Sequence, residues 1–307
     1  MQSPRKRLRV AGSKLLLRLR ASTNASVRLS SFPYVSGDTF RAIADLEWSR
    51  GYTHAVDVAC SDFVYCQLDD LAYLASDIST MNETTFNHTI LLAHNGDLVP
   101  DDATLEVLNR SFGAVYMVNA LSDHVAAGIH PLPIGLENLH YQRYGRLDYF
   151  VKPQAASHER DTARYRPIEI LGSFRIATNS TVREPLRRLI DAHQTTWHEP
   201  TQDISRYFSL VRQSTFVLSP PGNGPDCHRT WEALYLGAIP VVLETQMPYQ
   251  LALGLPILRV PSFEWFLSLR STERMSLAES MNGRSLTRSL MPYWCWRLLQ
   301  NHNDLHR

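Results

Sequence analysis

The sequence predicts an α/β protein built on parallel sheets, and three observations lead to this fold class. Short apolar runs alternate with segments of helical periodicity along most of the 307 residues. Several of these runs end directly in loops that carry polar side chains, as strands of open α/β sheets do at the edge where ligands bind. The chain is also long enough for two domains of ordinary size.

The stretch 214–244 shows the alternation most clearly. Ser214–Ser219 is apolar and β-branched and predicts a buried strand, and a loop rich in proline and glycine follows it. Asp226 stands where a helix N-cap would stand, a segment of helical spacing comes next, and Gly237 supplies a C-terminal stop. A second apolar run at 238–243 completes a strand–helix–strand crossover of a parallel sheet.

The elements ahead of this unit follow the same alternation. Residues 1–30 are basic and predict a tail or a surface helix, and Asp38 stands at the N-cap of a helix over 39–48. Strands are predicted at 63–67, 89–93, 113–118 and 130–134, and helices at 69–76 and 102–110. The polar residues at three strand ends should gather at one edge of the sheet; they are His94, Asn95 and Asp97, then Asn119, then Gly135, Glu137 and Asn138.

The second half of the chain begins after a polar segment at 141–166, which predicts a linker. Beyond it, strands are predicted at 168–171 and 256–260, and helices at 204–211, 263–269, 272–281 and 290–299. We therefore expect a basic tail at 1–30, an N-terminal domain at 31–155, a C-terminal domain at 156–285 and a terminal helix at 286–307.

Arg229 and Glu232 lie three residues apart on the helix after the proline-rich loop, so they share one face of it. A strand end followed by a helix start favours a phosphate group, and a guanidinium can hold a diphosphate with two hydrogen bonds. A carboxylate one turn away can accept hydrogen bonds from ribose hydroxyls. The pattern therefore suits a nucleotide-sugar site, although a surface salt bridge on a structural helix explains the same spacing.

A second anion-binding pattern follows the strand predicted at 168–171. Arg175 comes directly after the strand end, and Asn179 and Arg183 lie four residues apart at a helix start. Arg175 is the more exposed phosphate candidate, whereas Arg183 could lie on the helix face instead. An ordinary N-capped helix accounts for the same residues equally well.

The stretch 214–244 resembles the donor-binding signature of exostosin-type glycosyltransferases. The matching positions are Ser219, Pro220, Gly222, Asp226, Arg229, Glu232, Ala233, Leu234, Gly237, Ile239, Pro240, Val241 and Val242. The resemblance implies an α/β fold of the GT-B type, in which two Rossmann-like domains enclose a cleft and the C-terminal domain binds the donor nucleotide. It also implies inverting sugar transfer without a metal-binding Asp-x-Asp motif, which this sequence lacks.

The same resemblance implies the partners and the site residues. The partners would be a nucleoside-diphosphate sugar and a glycan or other hydroxyl acceptor, with neither a cofactor nor a metal. The donor-binding residues would be Ser219, Gly222, Asn223, Asp226, Arg229 and Glu232, together with Arg175, Asn179 and Arg183.

The N-terminal domain resembles this family more loosely, through His-Asn-x-Asp at 94–97 and Pro-Ile-Gly-Leu-Glu-Asn at 133–138. Asp97 is the first candidate for the general base that transfer requires, with His94 and Glu137 behind it. His94 is also explained as a structural loop histidine. Asp38 is a further catalytic candidate by resemblance, and a plain capping role explains it as well.

Composition narrows the function classes. The net charge of +1 argues against a nucleic-acid binder, and the four cysteines lack the Cys-x-x-Cys pairs of a zinc site and predict free thiols in a reducing compartment. No apolar run is long enough to span a bilayer. The basic N-terminus suits an amphipathic helix on an anionic membrane surface, a transit-like leader or a disordered tail. We therefore expect a cytoplasmic protein that lies at a membrane surface, or one of the Golgi lumen if an anchor precedes this chain.

Three other functions compete with sugar transfer. A catalytically inactive nucleotide-sugar-binding protein would keep the donor residues without the chemistry. An epimerase or dehydrogenase would bind a dinucleotide, and the Gly-x-Gly-x-x-Gly motif for that binding does not follow a first strand here. A purely structural α/β module does not explain the polar residues at the strand ends.

Overall fold

The structure is a computed structural model that describes residues 30–51, 55–80, 85–141, 146–150, 166–201 and 203–307. The predicted tail at 1–30 and the predicted linker at 141–166 lie almost entirely outside these ranges. The chain divides into two compact units, one formed by Met1–Gln142 with Leu290–Arg307 and the other by Arg143–Ser289. The predicted domain boundary at 155 falls outside the described residues and stays a prediction.

The first unit contains a parallel five-stranded sheet in the order β1-β2-β3-β4-β5. Its strands are β1 (Leu46–Glu47), β2 (Phe63–Gln67), β3 (Phe86–His94), β4 (Phe112–Val118) and β5 (His130–Leu132). Its helices are α1 (Gly37–Ile43), α2 (Ala55–Ala59), α3 (Leu71–Ser79), α4 (Asp102–Ser111), α5 (Ser122–Ala126) and α12 (Met291–Leu305).

Side chains alternate between the two faces of this sheet, and different helices pack on each face. Val64, Leu91 and Val115 are paired across the sheet and share one buried core with apolar residues of α3 and α4. Helix α12 packs against other residues of the same strands, because Asn301 donates a hydrogen bond to the Tyr116 hydroxyl over 2.9 Å. The terminal helix is therefore part of the first unit, although it lies far from it in sequence.

The second unit contains a parallel four-stranded sheet in the order β6-β7-β8-β9. Its strands are β6 (Ile168–Leu171), β7 (Ser214–Leu218), β8 (Ile239–Leu243) and β9 (Leu258–Val260). Its helices are α6 (Ser180–Ala192), α7 (Ile204–Arg212), α8 (His228–Tyr235), α9 (Tyr249–Ala252), α10 (Phe263–Ser268) and α11 (Ser271–Glu279). Ile170, Phe216 and Val241 lie in its buried core together with apolar residues of α6 and α10.

The α/β fold class with parallel sheets is confirmed, and both sheets are consistent with Rossmann-like folds. The remaining predicted elements are present with ends shifted by a few residues. The second half of the helix predicted over 39–48 is wrong. The helix ends at Ile43, the chain is extended at Ala44, and residues 46–47 form the short strand β1. Two paired residues are too few to show the alternation that reveals a strand.

The predicted N-cap at Asp38 is also wrong. Ser36 caps α1, because its hydroxyl accepts a hydrogen bond from the Thr39 amide over 3.2 Å. Asp38 lies in the first turn instead and is 1% exposed.

In the described ranges, no helix has both the length and the hydropathy needed to cross a membrane.

Acid should destabilise the first unit through His130. Burial and the neighbouring Arg297 lower the pKa of His130, whose ring stacks on Tyr116 at 4.5 Å. As the pH falls below about 6.5, the unfolded chain takes up this proton before the folded chain does, so the free energy of unfolding decreases. We expect His130→Phe, which keeps a ring on Tyr116, to lose less stability than the wild type between pH 7.5 and 5.5 in urea titrations. Equal losses would contradict this expectation.

Candidate functional site

The loop between β7 and α8, residues 219–227, lies at the carboxyl end of its strand. Ser219 is fully buried there, with its hydroxyl 2.8 Å from that of Thr230 and its carbonyl accepting a hydrogen bond from Gln246 over 2.9 Å. Ser219 therefore anchors the loop to α8 and to the segment after β8. The sequence predicted it among the donor-binding residues, and its hydroxyl here faces protein atoms.

The predicted N-cap at Asp226 is wrong, since Cys227 occupies the N-cap position of α8. The buried Asp226 carboxylate accepts hydrogen bonds from the Cys227 amide over 2.8 Å and from the Trp231 indole over 2.9 and 3.0 Å. A carboxylate one residue before the cap cannot reach the amides of the first turn as a cap does. Asp226 instead ties the end of the loop to the buried face of α8.

Helix α6 holds the other side of the loop through Arg183, which is 4% exposed. Its guanidinium donates hydrogen bonds to the carbonyls of Pro221 and Arg175, each over 2.8 Å, and to that of Pro220 over 3.4 Å. Asn179 caps α6 and donates a hydrogen bond to the Gly222 carbonyl over 2.9 Å. Arg183 thus fixes the shape of the loop and does not lie on an open helix face.

Gly222 is required by this close approach. A Cβ at Gly222 would lie 3.2 Å from a terminal nitrogen of Arg183, whose position is already set by three carbonyls.

Arg175 and Asn223, the two other predicted donor-binding residues of this region, are exposed. Arg175 contributes its carbonyl to Arg183, and its own side chain is accessible, as the sequence predicted.

Two guanidinium groups lie close to one aromatic ring beside the loop. The central carbons of Arg183 and Arg229 lie 5.8 and 5.9 Å from the centre of the Phe174 ring. Burial, together with the charge of Arg229, lowers the pKa of Arg183 to about 10. Burial alone would lower the pKa of Arg229, but Tyr207, Cys227 and Glu232 outweigh it and raise that pKa. Both groups therefore carry a positive charge at neutral pH.

Glu232 supplies negative charge close to this pair, as the spacing predicted. It lies one turn after Arg229 on α8 and is 4% exposed, so the two do not form an exposed surface salt bridge. Burial raises the pKa of the Tyr207 phenol, which lies beside the Arg229 guanidinium. The Nε atom of Arg229 is buried and makes no hydrogen bond to the described residues. The Tyr207 hydroxyl beside it is buried and without a partner in the same way, so a small shift would pair these two groups. Arg229 as a whole is partly exposed, so its charge is accessible to an anionic ligand.

Removing Arg183 should destabilise the second unit. Arg183→Met keeps the bulk but leaves three carbonyls without their donor, and we expect the free energy of unfolding to fall by about 2–3 kcal/mol. Arg188→Met is the control, because Arg188 lies on the same helix and its side chain is 67% exposed in an ion pair with Glu184. Chemical denaturation measures both variants. A loss as small as that of the control would contradict the clamping role.

A second polar cluster lies at the carboxyl edge of the sheet in the first unit. The Asp38 carboxylate accepts a hydrogen bond from Asn95 over 3.3 Å and lies 3.3 Å from Nδ1 of His140. Asn138 accepts from the Asp38 amide over 2.9 Å and donates to the Asn95 side chain over 2.8 Å. Asn95 and Asn138, two of the strand-end residues that the sequence grouped, are thus joined, and Asp38 bonds to both of them.

Glycine at position 37 makes this cluster possible. A Cβ at Gly37 would lie 1.7 Å from the side-chain oxygen of Asn95. Asn95 itself follows β3 with φ +56°, a left-handed conformation that asparagine tolerates better than most residues. The close approach of α1 to the end of β3 therefore depends on both residues.

His140 is the functional candidate that sequence reasoning missed. Its Nδ1 lies next to a buried carboxylate, which favours a proton on Nδ1 and leaves Nε2 as an acceptor. Its side chain is 34% exposed, and its ring packs on Tyr141 at 4.0 Å between centres. His140 is 102 residues from Asp38, so no local spacing could have paired them.

The three predicted bases have different environments. His94 is buried, its Nδ1 accepts from the Asn95 amide over 2.8 Å, and its Nε2 contacts the Pro133 carbonyl over 3.0 Å, so both nitrogens are engaged. Asp97 is exposed, and its amide donates to Asp69. Glu137 is partly exposed, and its Oε2 is buried without a hydrogen-bond partner in the described ranges. His94 accordingly has the contacts of a structural histidine.

A family model described as "RXYLT1 C-terminal domain" matches residues 178–254. The matched region contains Arg183, the loop 219–227, Arg229 and Glu232. The match supports a relation of this region to glycosyltransferases. No curated protein matches the chain.

Proposed function

We propose that this chain transfers a sugar from a nucleoside-diphosphate sugar to an acceptor hydroxyl, with inversion and without a metal ion at the reacting centre. The observation that carries the proposal is the pair of charged guanidinium groups, Arg183 and Arg229, that lie 5.8 and 5.9 Å from the Phe174 ring centre beside the loop after β7. The family match to residues 178–254 covers both arginines. The two parallel-sheet units suit the donor and acceptor domains of a GT-B enzyme.

In this mechanism the second unit binds the donor. Arg229 would contact the diphosphate with its charged guanidinium, and Glu232 would accept hydrogen bonds from the ribose. During transfer, the bond between the anomeric carbon and the phosphate oxygen breaks, and the diphosphate keeps the electron pair. Fixed positive charge stabilises this leaving group without a metal ion. Arg183 adds charge while it holds the loop in shape.

The acceptor hydroxyl must lose a proton as it attacks the anomeric carbon, and a base within hydrogen-bond reach accepts that proton. Asp97 and Glu137 remain candidates from the sequence. We favour His140, since the buried Asp38 orients its ring and would stabilise the imidazolium that forms. In this arrangement Asp38 is a positioning residue.

The first test is a thermal-shift screen of nucleoside diphosphates and nucleotide sugars, followed by assays of donor hydrolysis and transfer with hydroxyl acceptors. A ligand that binds only the folded chain raises its melting temperature, so a hit identifies the donor. Stabilisation by a nucleotide sugar followed by its turnover supports the proposal. A complete screen without any stabilising nucleotide would exclude it.

The second candidate is a catalytically inactive nucleotide-sugar-binding protein. The family match favours it in one respect, because residues 178–254 include all the predicted donor residues except Arg175 and none of the candidate bases. Binding of a nucleotide sugar without hydrolysis or transfer to any acceptor would identify this function.

For either function we propose a cytoplasmic location, in contact with a membrane through the basic N-terminus, with the Golgi lumen as the alternative.

A further inference from the structure

Three metal-ligating side chains converge at the end of the terminal helix, away from the residues assigned above. His302 and His306 lie four residues apart on α12, so they project from the same side of it. Their Nε2 atoms are 3.0 Å apart, and Nε2 of His302 is 3.2 Å from Oδ1 of Asp62, which directly precedes β2. The three ligand atoms all lie within 4.8 Å of one another.

These separations suit a common metal ion. Zinc–nitrogen bonds of about 2.0–2.1 Å in tetrahedral geometry place two ligand atoms roughly 3.3 Å apart. A direct hydrogen bond between the imidazoles accounts for their contact alone. A three-centre hydrogen bond from Nε2–H of His302 would account for the carboxylate as well, so saturable metal binding is what separates the two arrangements.

The neighbouring rings hold both imidazoles in place. His302 packs on Phe63 at 5.5 Å between ring centres and has only 14% of its side chain exposed. His306 stacks on His88 at 4.6 Å. Both ligands lie in the last turns of α12, where the helix dipole is negative and favours a cation. A partly preformed site requires less ordering when an ion binds.

We infer that Asp62, His302 and His306 bind a divalent first-row transition metal ion, with Zn²⁺ the best fit. Two imidazoles and one carboxylate select such ions over Mg²⁺ and Ca²⁺, which prefer oxygen ligands. Water would complete the coordination. The ion would link the end of α12 to the start of β2 and so stabilise the first unit. This site shares no residue with the proposed transfer chemistry and does not depend on it.

The test uses the full chain without a polyhistidine tag, after removal of metal with a chelator. We expect one Co²⁺ to bind per chain, with visible absorption bands that added Zn²⁺ abolishes, and Zn²⁺ to raise the melting temperature. His302→Ala and His306→Ala should each weaken Co²⁺ binding at least tenfold, and Asp62→Asn should weaken it less. His193→Ala is the matched control, because it removes an exposed histidine of the second unit.

Circular dichroism of the metal-free variants shows whether each one is folded. His306 is exposed, so His306→Ala should stay folded and decides the question if His302→Ala does not. The inference is overturned if the wild type shows no saturable Co²⁺ binding. It is also overturned if folded His306→Ala binds Co²⁺ as tightly as His193→Ala does.

Discussion

Arg229→Ala should weaken the binding of nucleoside diphosphates by roughly 30- to 150-fold in Kd, which corresponds to about 2–3 kcal/mol. The guanidinium is charged at neutral pH, and Arg229 is partly exposed. A bound diphosphate would accept charge-assisted hydrogen bonds from it. Isothermal titration with the nucleotide found in the screen measures the loss.

Two further variants separate charge from geometry. Arg229→Lys keeps the charge but not the two-pronged hydrogen bonding, so it should recover only part of the affinity. Arg188→Ala removes an exposed arginine from the same unit and should bind as the wild type does. If folded Arg229→Ala binds the nucleotide with unchanged affinity, the diphosphate does not contact this side chain and the proposed donor site is wrong.

His140→Ala should reduce kcat by about 10²- to 10⁴-fold, the range usual for loss of a general base, while the donor Kd changes by less than about twofold. The imidazole is held by a buried carboxylate in the first unit, and none of the donor-binding side chains belongs to that unit. Turnover with saturating acceptor and a separate donor titration measure the two effects.

The variant Asp38→Asn tests the role of the carboxylate. It preserves the size of the side chain but no longer stabilises an imidazolium, so kcat should fall here too with donor affinity retained. Arg110→Ala removes an exposed cation of the same unit, away from both proposed sites, and serves as the control for turnover. Wild-type kcat in His140→Ala would move the role of base to Asp97 or Glu137.

The sequence determined the elements whose signal is local. The strands at 63–67 and 168–171 were predicted with the bounds that the structure has. Arg229 and Glu232 were grouped correctly, because three residues along a helix always bring two side chains to one face. Polar residues at the ends of parallel strands were likewise grouped, since such ends share one edge of a sheet.

Only the tertiary structure decided which distant residues meet. Asp38 and His140 are brought together by the approach of α1 to the loop after β5, and this contact leaves no periodic trace in the sequence. The packing of α12 beside Tyr116 likewise depends on which face of the sheet is left without other helices packed on it. Arg183 is buried because three loop carbonyls need a donor at that point. The periodicity of apolar residues predicts which face of a helix or strand a residue occupies. Which distant residue it then contacts depends on how the whole unit packs.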